Sequence, residues 1–208
     1  MFIVFEGLDG AGTTTQSGML AKWLRGIGRL AELTCEPTSG PMGALARLAI
    51  EGRVSVDDEA LALLFAADRL DHLRQGERGL INLLSAGIDV ISDRYVLSSL
   101  AYQSARGVEL DWLCSMNKMA LTPDVTVFID TSAQICDART KSRSSSVDLF
   151  DGESSLSRVE NQYAKVIGYK EFVGELIIID GSKSIDEVHN EICSQLEAWR
   201  PLRNRIEP

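Results

Sequence analysis

The chain has 208 residues, 45% hydrophobic and 25% charged, with a formal net charge of −9 at pH 7. That length supports one globular domain with a full core, and the composition is that of an ordinary soluble protein. An acidic body with no run of like charge excludes general nucleic-acid and membrane-surface binding, so any anion site must be a local cationic pocket. The longest apolar run, Leu61–Ala67, is too short to cross a bilayer, and the start Met-Phe-Ile-Val-Phe-Glu-Gly lacks a signal-peptide layout. The cytoplasm is the expected location. The cysteines Cys35, Cys114, Cys136 and Cys193 are widely spaced, with no Cys-x-x-Cys pair, and read as buried reduced thiols. His72 and His189 have no partners at ligand spacing and read as structural or exposed.

In chain order, Phe2–Phe5 is a short apolar run ending near glycine, the mark of a buried strand. Thr14–Leu24 has apolar residues at helix spacing, and Leu30–Thr34 reads as a second strand. Gly40–Ile50 and Asp57–Leu73 read as helices, the second with acidic residues at its start. Asp89–Ser92 is a third strand and Tyr95–Ala105 a helix. Val125–Ile129 and Leu176–Ile179 are two more strands, and Ile185–Trp199 is a closing helix. Five apolar strands separated by helices predict an α/β fold, a five-stranded parallel sheet flanked by helices, as one domain over residues 1–208. Arg139–Ser157 is rich in Ser, Arg and Asp and breaks the pattern, so residues 139–157 read as a mobile loop or lid. The polar tail Arg200–Pro208 is expected to fray.

Gly7-Leu8-Asp9-Gly10-Ala11-Gly12-Thr13-Thr14 follows the first strand and opens a helix. The spacing is that of the Walker A phosphate loop, G-x-x-x-x-G-K-[ST]. Its glycines let backbone N–H groups point inward at phosphate oxygens, and the helix N-terminus adds partial positive charge. Thr14 stands where a Mg²⁺-binding hydroxyl belongs, but Thr13 replaces the lysine.

Over nearly its whole length the chain resembles the thymidylate kinase family, whose members are P-loop nucleoside-monophosphate kinases. The resemblance rests on Phe-Glu-Gly-Leu-Asp-Gly-Ala-Gly followed by Thr14-Thr15-Gln16, on Glu36-Pro37 with Gly43 and Arg47, and on Leu64-Phe65-Ala66-Ala67-Asp68-Arg69. Asp93-Arg94-Tyr95 with Ser98-Ser99-Leu100-Ala101-Tyr102-Gln103, and Thr122-Pro123-Asp124, complete it. It implies transfer of a phosphoryl group from Mg²⁺-ATP to dTMP in a homodimer. By the same resemblance Phe65 stacks on thymine, Arg69 donates to its 4-oxo group, and Gln103 reads its N3–H edge with Ser99 beside it. Arg94 and Arg47 hold the acceptor phosphate, Asp9 contacts the sugar 3′-hydroxyl, Tyr102 lies under the deoxyribose, and Asp93 lies near Mg²⁺, directly or through water. The loop from Gly7 to Thr15 holds the ATP phosphates. The catalytic set is Asp9, Arg94, Arg139 and Arg143.

The residues carry part of this unaided. Phe65 and Arg69 share a helix face, and an aromatic plane beside a guanidinium suits a stacked base. The plain alternative makes Phe65 core and pairs Arg69 with Asp68 or Asp71. Thr13 carries no charge, and Lys22, nine residues along the same helix, is about 13 Å away. Gly10-Ala11 supplies no arginine to the loop either, so compensation is expected from Arg139, Lys141 and Arg143. A kinase for another nucleoside monophosphate, and a nucleotide-binding protein without catalysis, remain open at this point.

Overall fold

The structure, a computed structural model, describes residues 1–143 and 152–199; for Arg143 only the backbone is described. Five strands, β1 (Phe2–Gly7), β2 (Ala31–Cys35), β3 (Asp89–Asp93), β4 (Val125–Asp130) and β5 (Glu175–Asp180), form one parallel sheet in the order β2-β3-β1-β4-β5. The helices are α1 (Thr13–Gly26), α2 (Pro41–Ile50), α3 (Asp58–Arg74), α4 (Leu80–Ser85), α5 (Val96–Ala105), α6 (Leu110–Asn117), α7 (Ala133–Arg143), α8 (Glu153–Val166), α9 (Lys170–Val173) and α10 (Ile185–Ala198).

Each strand ends within two residues of the range expected from sequence. The central strand β1 is buried at every position, as a parallel strand covered on both faces must be. The edge strands are more open: β5 alternates buried and exposed positions, and β2 buries only Ala31. The Asp57 side chain caps α3 by accepting from Glu59 N at 3.1 Å, and Ser184 with Glu187 forms a capping box at the start of α10. The order reverses at β1, whose neighbours are β3 and β4. Open α/β sheets bind ligands in the crevice beyond the carboxyl ends of strands at such a switch point.

Two expectations change. The ends of the segment read as a loop are helical: Arg139 to Arg143 extend α7, and Glu153 opens α8, whose Leu156, Val159, Tyr163 and Val166 bury one face at helical spacing. Residues 144–151 and the tail 200–208 lie outside the described residues. All four cysteines are free as expected, but only Cys136 is buried; Cys35 is exposed and Cys114 and Cys193 are half-buried. Among the described residues no helix is long and apolar enough to cross a membrane.

Candidate active site

A cavity of about 630 Å³ opens beyond the carboxyl ends of β1, β2 and β3. The phosphate loop forms one wall. Gly10 and Gly12 take φ of +93° and +106°, values that favour glycine, and Ala11 N donates to Leu8 O at 3.0 Å to close the turn. Asp9, Gly10, Gly12, Thr13, Thr14 and Thr15 line the cavity, while Leu8 and Ala11 are buried behind it and Gly7 ends β1. A Cβ on Gly10 would lie 2.5 Å from the Cys136 carbonyl oxygen and 2.9 Å from Thr140 Oγ1. Helix α7 therefore packs directly on the loop, and no longer side chain fits at position 10.

Thr14 Oγ1 donates to Asp93 Oδ2 at 2.5 Å, and Asp93 Oδ1 is buried without a hydrogen-bond partner among the described residues. The described residues hold no cluster of three His, Cys, Asp or Glu side chains able to bind a metal. One hydroxyl and one carboxylate fit a cation that takes its remaining ligands from phosphate and water, which is the habit of Mg²⁺.

Arg94 follows β3 with φ +70°, a strained value for a non-glycine residue. Its Nη1 donates to Gly7 O and Ser98 Oγ, each at 2.9 Å, and lies 3.4 Å from Tyr163 Oη. Nη2 donates to Asp9 Oδ1 at 2.5 Å. Its guanidinium lies 5.1 Å from the centre of the Tyr102 ring, and Asp9 N donates to Tyr102 Oη at 2.9 Å. Burial opposes the Arg94 charge, yet Asp9 and the surrounding groups hold it well above the ordinary arginine range. Nε and one Nη2 hydrogen have no acceptor among the described residues, which leaves two N–H groups for an oxyanion.

Behind Arg94 lies a network that sequence reasoning missed. Glu6, fully buried on β1, accepts from Tyr95 N, Ser98 N, Ser98 Oγ and Tyr163 Oη. Burial pushes the Glu6 carboxyl up, and the hydrogen bonds and the Arg94 charge oppose that shift. Tyr163 comes from α8, far along the chain, and only packing brings it there.

Phe65, Arg69, Ser99 and Gln103 also line the cavity, with Tyr102 between them and Arg94. Arg69 is only 1% exposed and pairs with neither Asp68 nor Asp71. Its Nε donates to Glu36 Oε2 at 2.8 Å, Nη1 to Asn117 Oδ1, and Nη2 to Tyr95 O at 3.1 Å and Ser99 Oγ at 2.9 Å. Four of its five N–H groups are thus committed, and one on Nη1 is left. Asp68 instead accepts from Thr38 N and Thr38 Oγ1. Gln103 is 2% exposed and its Oε1 has no partner among the described residues. Arg47 lines the cavity while donating to Pro37 O and Thr38 O at 2.8 and 2.9 Å.

Of the α7 cations, Arg139 reaches the loop, with Nη1 3.5 Å from Gly10 O and Nη2 donating to Gly181 O at 3.0 Å. Lys141 pairs with Asp137 at 2.6 Å and its side chain is 71% exposed. The Arg143 side chain lies outside the described residues.

Comparison with known proteins agrees with this geometry. The thymidylate kinase family model matches residues 5–192. A probable thymidylate kinase of Methanococcus aeolicus is 40% identical over 198 residues, covering 94% of this chain and 95% of that one. Another, from Thermococcus kodakarensis, is 40% identical over 206 residues, covering 95% and 97%. A third, from Pyrococcus horikoshii, is 40% identical over 199 residues, covering 93% and 94%. With the loop, the sheet order and the cavity in place, the chain belongs to the thymidylate kinase family.

Proposed function

We propose that the protein is a dTMP kinase that transfers the γ-phosphoryl group of ATP to dTMP, giving dTDP and ADP. The observation that carries this reading is a donor and an acceptor at the base end of the cavity. The uncommitted Arg69 N–H and the unpartnered Gln103 Oε1 complement the 4-oxo and N3–H groups of thymine. A 4-amino group would set donor against donor at Arg69. Phe65, half-buried in the same wall, is the surface on which the ring stacks.

In the reaction an oxygen of the dTMP phosphate attacks the γ-phosphorus of ATP. The bond from that phosphorus to the β,γ-bridging oxygen breaks, and ADP leaves with the electron pair. The protein's work is positioning and charge stabilisation. Arg94, with two free N–H groups, holds the acceptor phosphate, and Arg47 flanks it. Asp9, fixed by Arg94, meets the sugar 3′-hydroxyl, and Tyr102 lies under the deoxyribose. The loop N–H groups from Gly7 to Thr15 hold the ATP phosphates. Thr14 and Asp93 hold Mg²⁺, directly or through water, and bound Mg²⁺ neutralises charge on the transferring and leaving phosphates. Arg139 and Arg143 supply the cationic partners that Thr13 does not, from a lid over residues 139–157 of a single domain spanning 1–208. The family resemblance extends the proposal to a homodimer, for which exposed Leu45 on α2 and Leu63 on α3 offer apolar surface. Location in the cytoplasm belongs to the same proposal, because ATP and dTMP are met there.

The test is ADP release over a panel of nucleoside monophosphates with Mg²⁺-ATP. Turnover is expected with dTMP, in preference to dCMP and dGMP. No dTDP above a control without enzyme refutes the kinase reading, and a preference for dCMP refutes the base assignment.

Replacement of Phe65 by Ala is expected to weaken dTMP binding by about tenfold or more and ATP binding by less than about twofold. Calorimetry with each nucleotide separates the two; equal losses would make Phe65 structural. Arg69→Ala is a different case. It leaves the Glu36 carboxylate buried without its charge partner, so it is expected to destabilise the fold by about 3–5 kcal/mol as well as weaken dTMP binding. Denaturant titration of the apo protein reads the first effect, and unchanged stability would rule out a structural share for the pair.

A further inference from the structure

His72 looked structural or exposed from sequence, yet it ends a chain of contacts that reaches the cavity. It lies three residues after Arg69 on α3, on the same face. Its Nδ1 is 3.1 Å from Glu36 Oε1, and its Nε2 is 2.7 Å from Thr34 Oγ1 on β2. An ionised carboxylate only accepts, so Nδ1 carries a hydrogen; in the neutral ring Nε2 then accepts from the Thr34 hydroxyl. The other Glu36 oxygen, Oε2, takes Arg69 Nε. The His72 side chain is 9% exposed and does not line the cavity, whereas Glu36 and Arg69 do.

We propose that His72 is a positioning residue for base selection, fixing Glu36 so that Arg69 presents its one uncommitted N–H to the acceptor base. The inference rests on the dTMP kinase reading. Two of the Arg69 anchors, Asn117 and Tyr95 O, come from α6 and from the residue after Arg94, and do not depend on His72. Glu36 does. Without His72, Oε1 has no partner in a buried site, and a buried acceptor left unsatisfied seeks another donor. The guanidinium is already held by the other oxygen of the same carboxylate, so a Glu36 that turns shifts it, and with it the Nη1 hydrogen that the base needs. The consequence is selective: a 4-oxo base loses its donor, a 4-amino base loses its penalty, and the chemistry at the phosphates stays intact.

The test uses the full chain with Mg²⁺-ATP and two acceptors that share the 5-methyl group and differ in the 4-substituent and in the hydrogen on N3, dTMP and 5-methyl-dCMP. His72→Phe is expected to raise KM for dTMP about tenfold, with kcat within about threefold of wild type and KM for ATP unchanged. The preference for dTMP over 5-methyl-dCMP should fall about tenfold. His72→Asn, whose amide nitrogen can stand where Nδ1 stands, should restore most of that preference. Thr34→Val, a milder change at the far end, should shift it the same way by a smaller factor. In an Arg69→Lys background, which keeps a positive charge against Glu36 but lacks the fork, His72→Phe should change the preference by less than about twofold. An unchanged preference in His72→Phe and Thr34→Val overturns the proposal. So does a parallel loss of kcat, both KM values and melting temperature, the pattern of a residue that only holds the fold. If His72→Phe does not fold, Thr34→Val decides alone. Failure of the wild type to use dTMP counts against the kinase reading itself; a wild type that prefers dTMP beside variants that prefer it equally counts against the inference alone.

Discussion

Replacing Arg94 with lysine is expected to lower kcat/KM for dTMP by about 10²- to 10³-fold while ATP affinity changes by less than about threefold. Lysine keeps the charge but lacks the fork, and here the fork has divided tasks. One nitrogen, Nη1, is tied to Gly7 O and Ser98 on the protein side, and Nη2 is tied to Asp9. Nε and the second Nη2 hydrogen face no protein acceptor among the described residues. A lysine ammonium in that place would keep its contacts to Gly7 O and Asp9 or meet the phosphate, but could not do both in fixed geometry. The backbone supports the same reading: a side chain held at φ +70° persists because its surroundings over-determine it. Steady-state kinetics with each substrate varied in turn checks the result. A lysine variant within tenfold of wild type would mean that charge alone suffices and that the fork has no role.

The second large effect concerns the missing loop lysine. Neutralising Arg139 is expected to lower kcat by about tenfold or more, with KM for dTMP moving much less, since loss of one transition-state charge contact costs on that order. The geometry explains why the charge comes from α7. Position 10 cannot carry a side chain, because the Cys136 carbonyl of α7 lies 2.5 Å from where its Cβ would be. The same packing brings Arg139 to the Gly10 carbonyl. Loop and helix are thus one unit, in which a small residue on the loop makes room for a cation on the helix. Thr13→Lys is the companion variant. It is expected to change wild-type kcat by less than about threefold and to recover part of the loss in Arg139→Ala. If Arg139 and Arg143 can be replaced together with kcat unchanged, the charge comes from elsewhere and the compensation idea is wrong.

The residues that were legible in sequence are those whose signal is local. The phosphate loop is a contiguous string whose glycines are required by its own backbone, so Gly10 and Gly12 could be read without any partner. Strand β1 opens with the continuous apolar run Phe2–Phe5, and β3 and β4 centre on Val90-Ile91 and Val127-Phe128-Ile129, because a central parallel strand is covered on both faces. Their helices follow from spacing and caps. Phe65 and Arg69 were legible as a pair because a helix sets i and i+4 on one face.

What the sequence by itself determined is therefore the α/β alternation, the phosphate loop with its uncharged Thr13, and the inventory of side chains that the site draws on. Tertiary structure alone decided how those side chains are committed. Arg69 meets Glu36, Asn117 and Ser99, which are 33, 48 and 30 residues away in the chain, rather than a neighbouring aspartate on its own helix. Tyr163 reaches Glu6 across 157 residues. Arg139 meets Gly10 across 129. A hydrogen bond depends on the distance and direction between two groups, and no local pattern encodes either when the partners lie on different elements. Burial then forces each polar group to find a partner, so the sheet order and the packing of α3, α7 and α8 settle which donors remain free for a nucleotide.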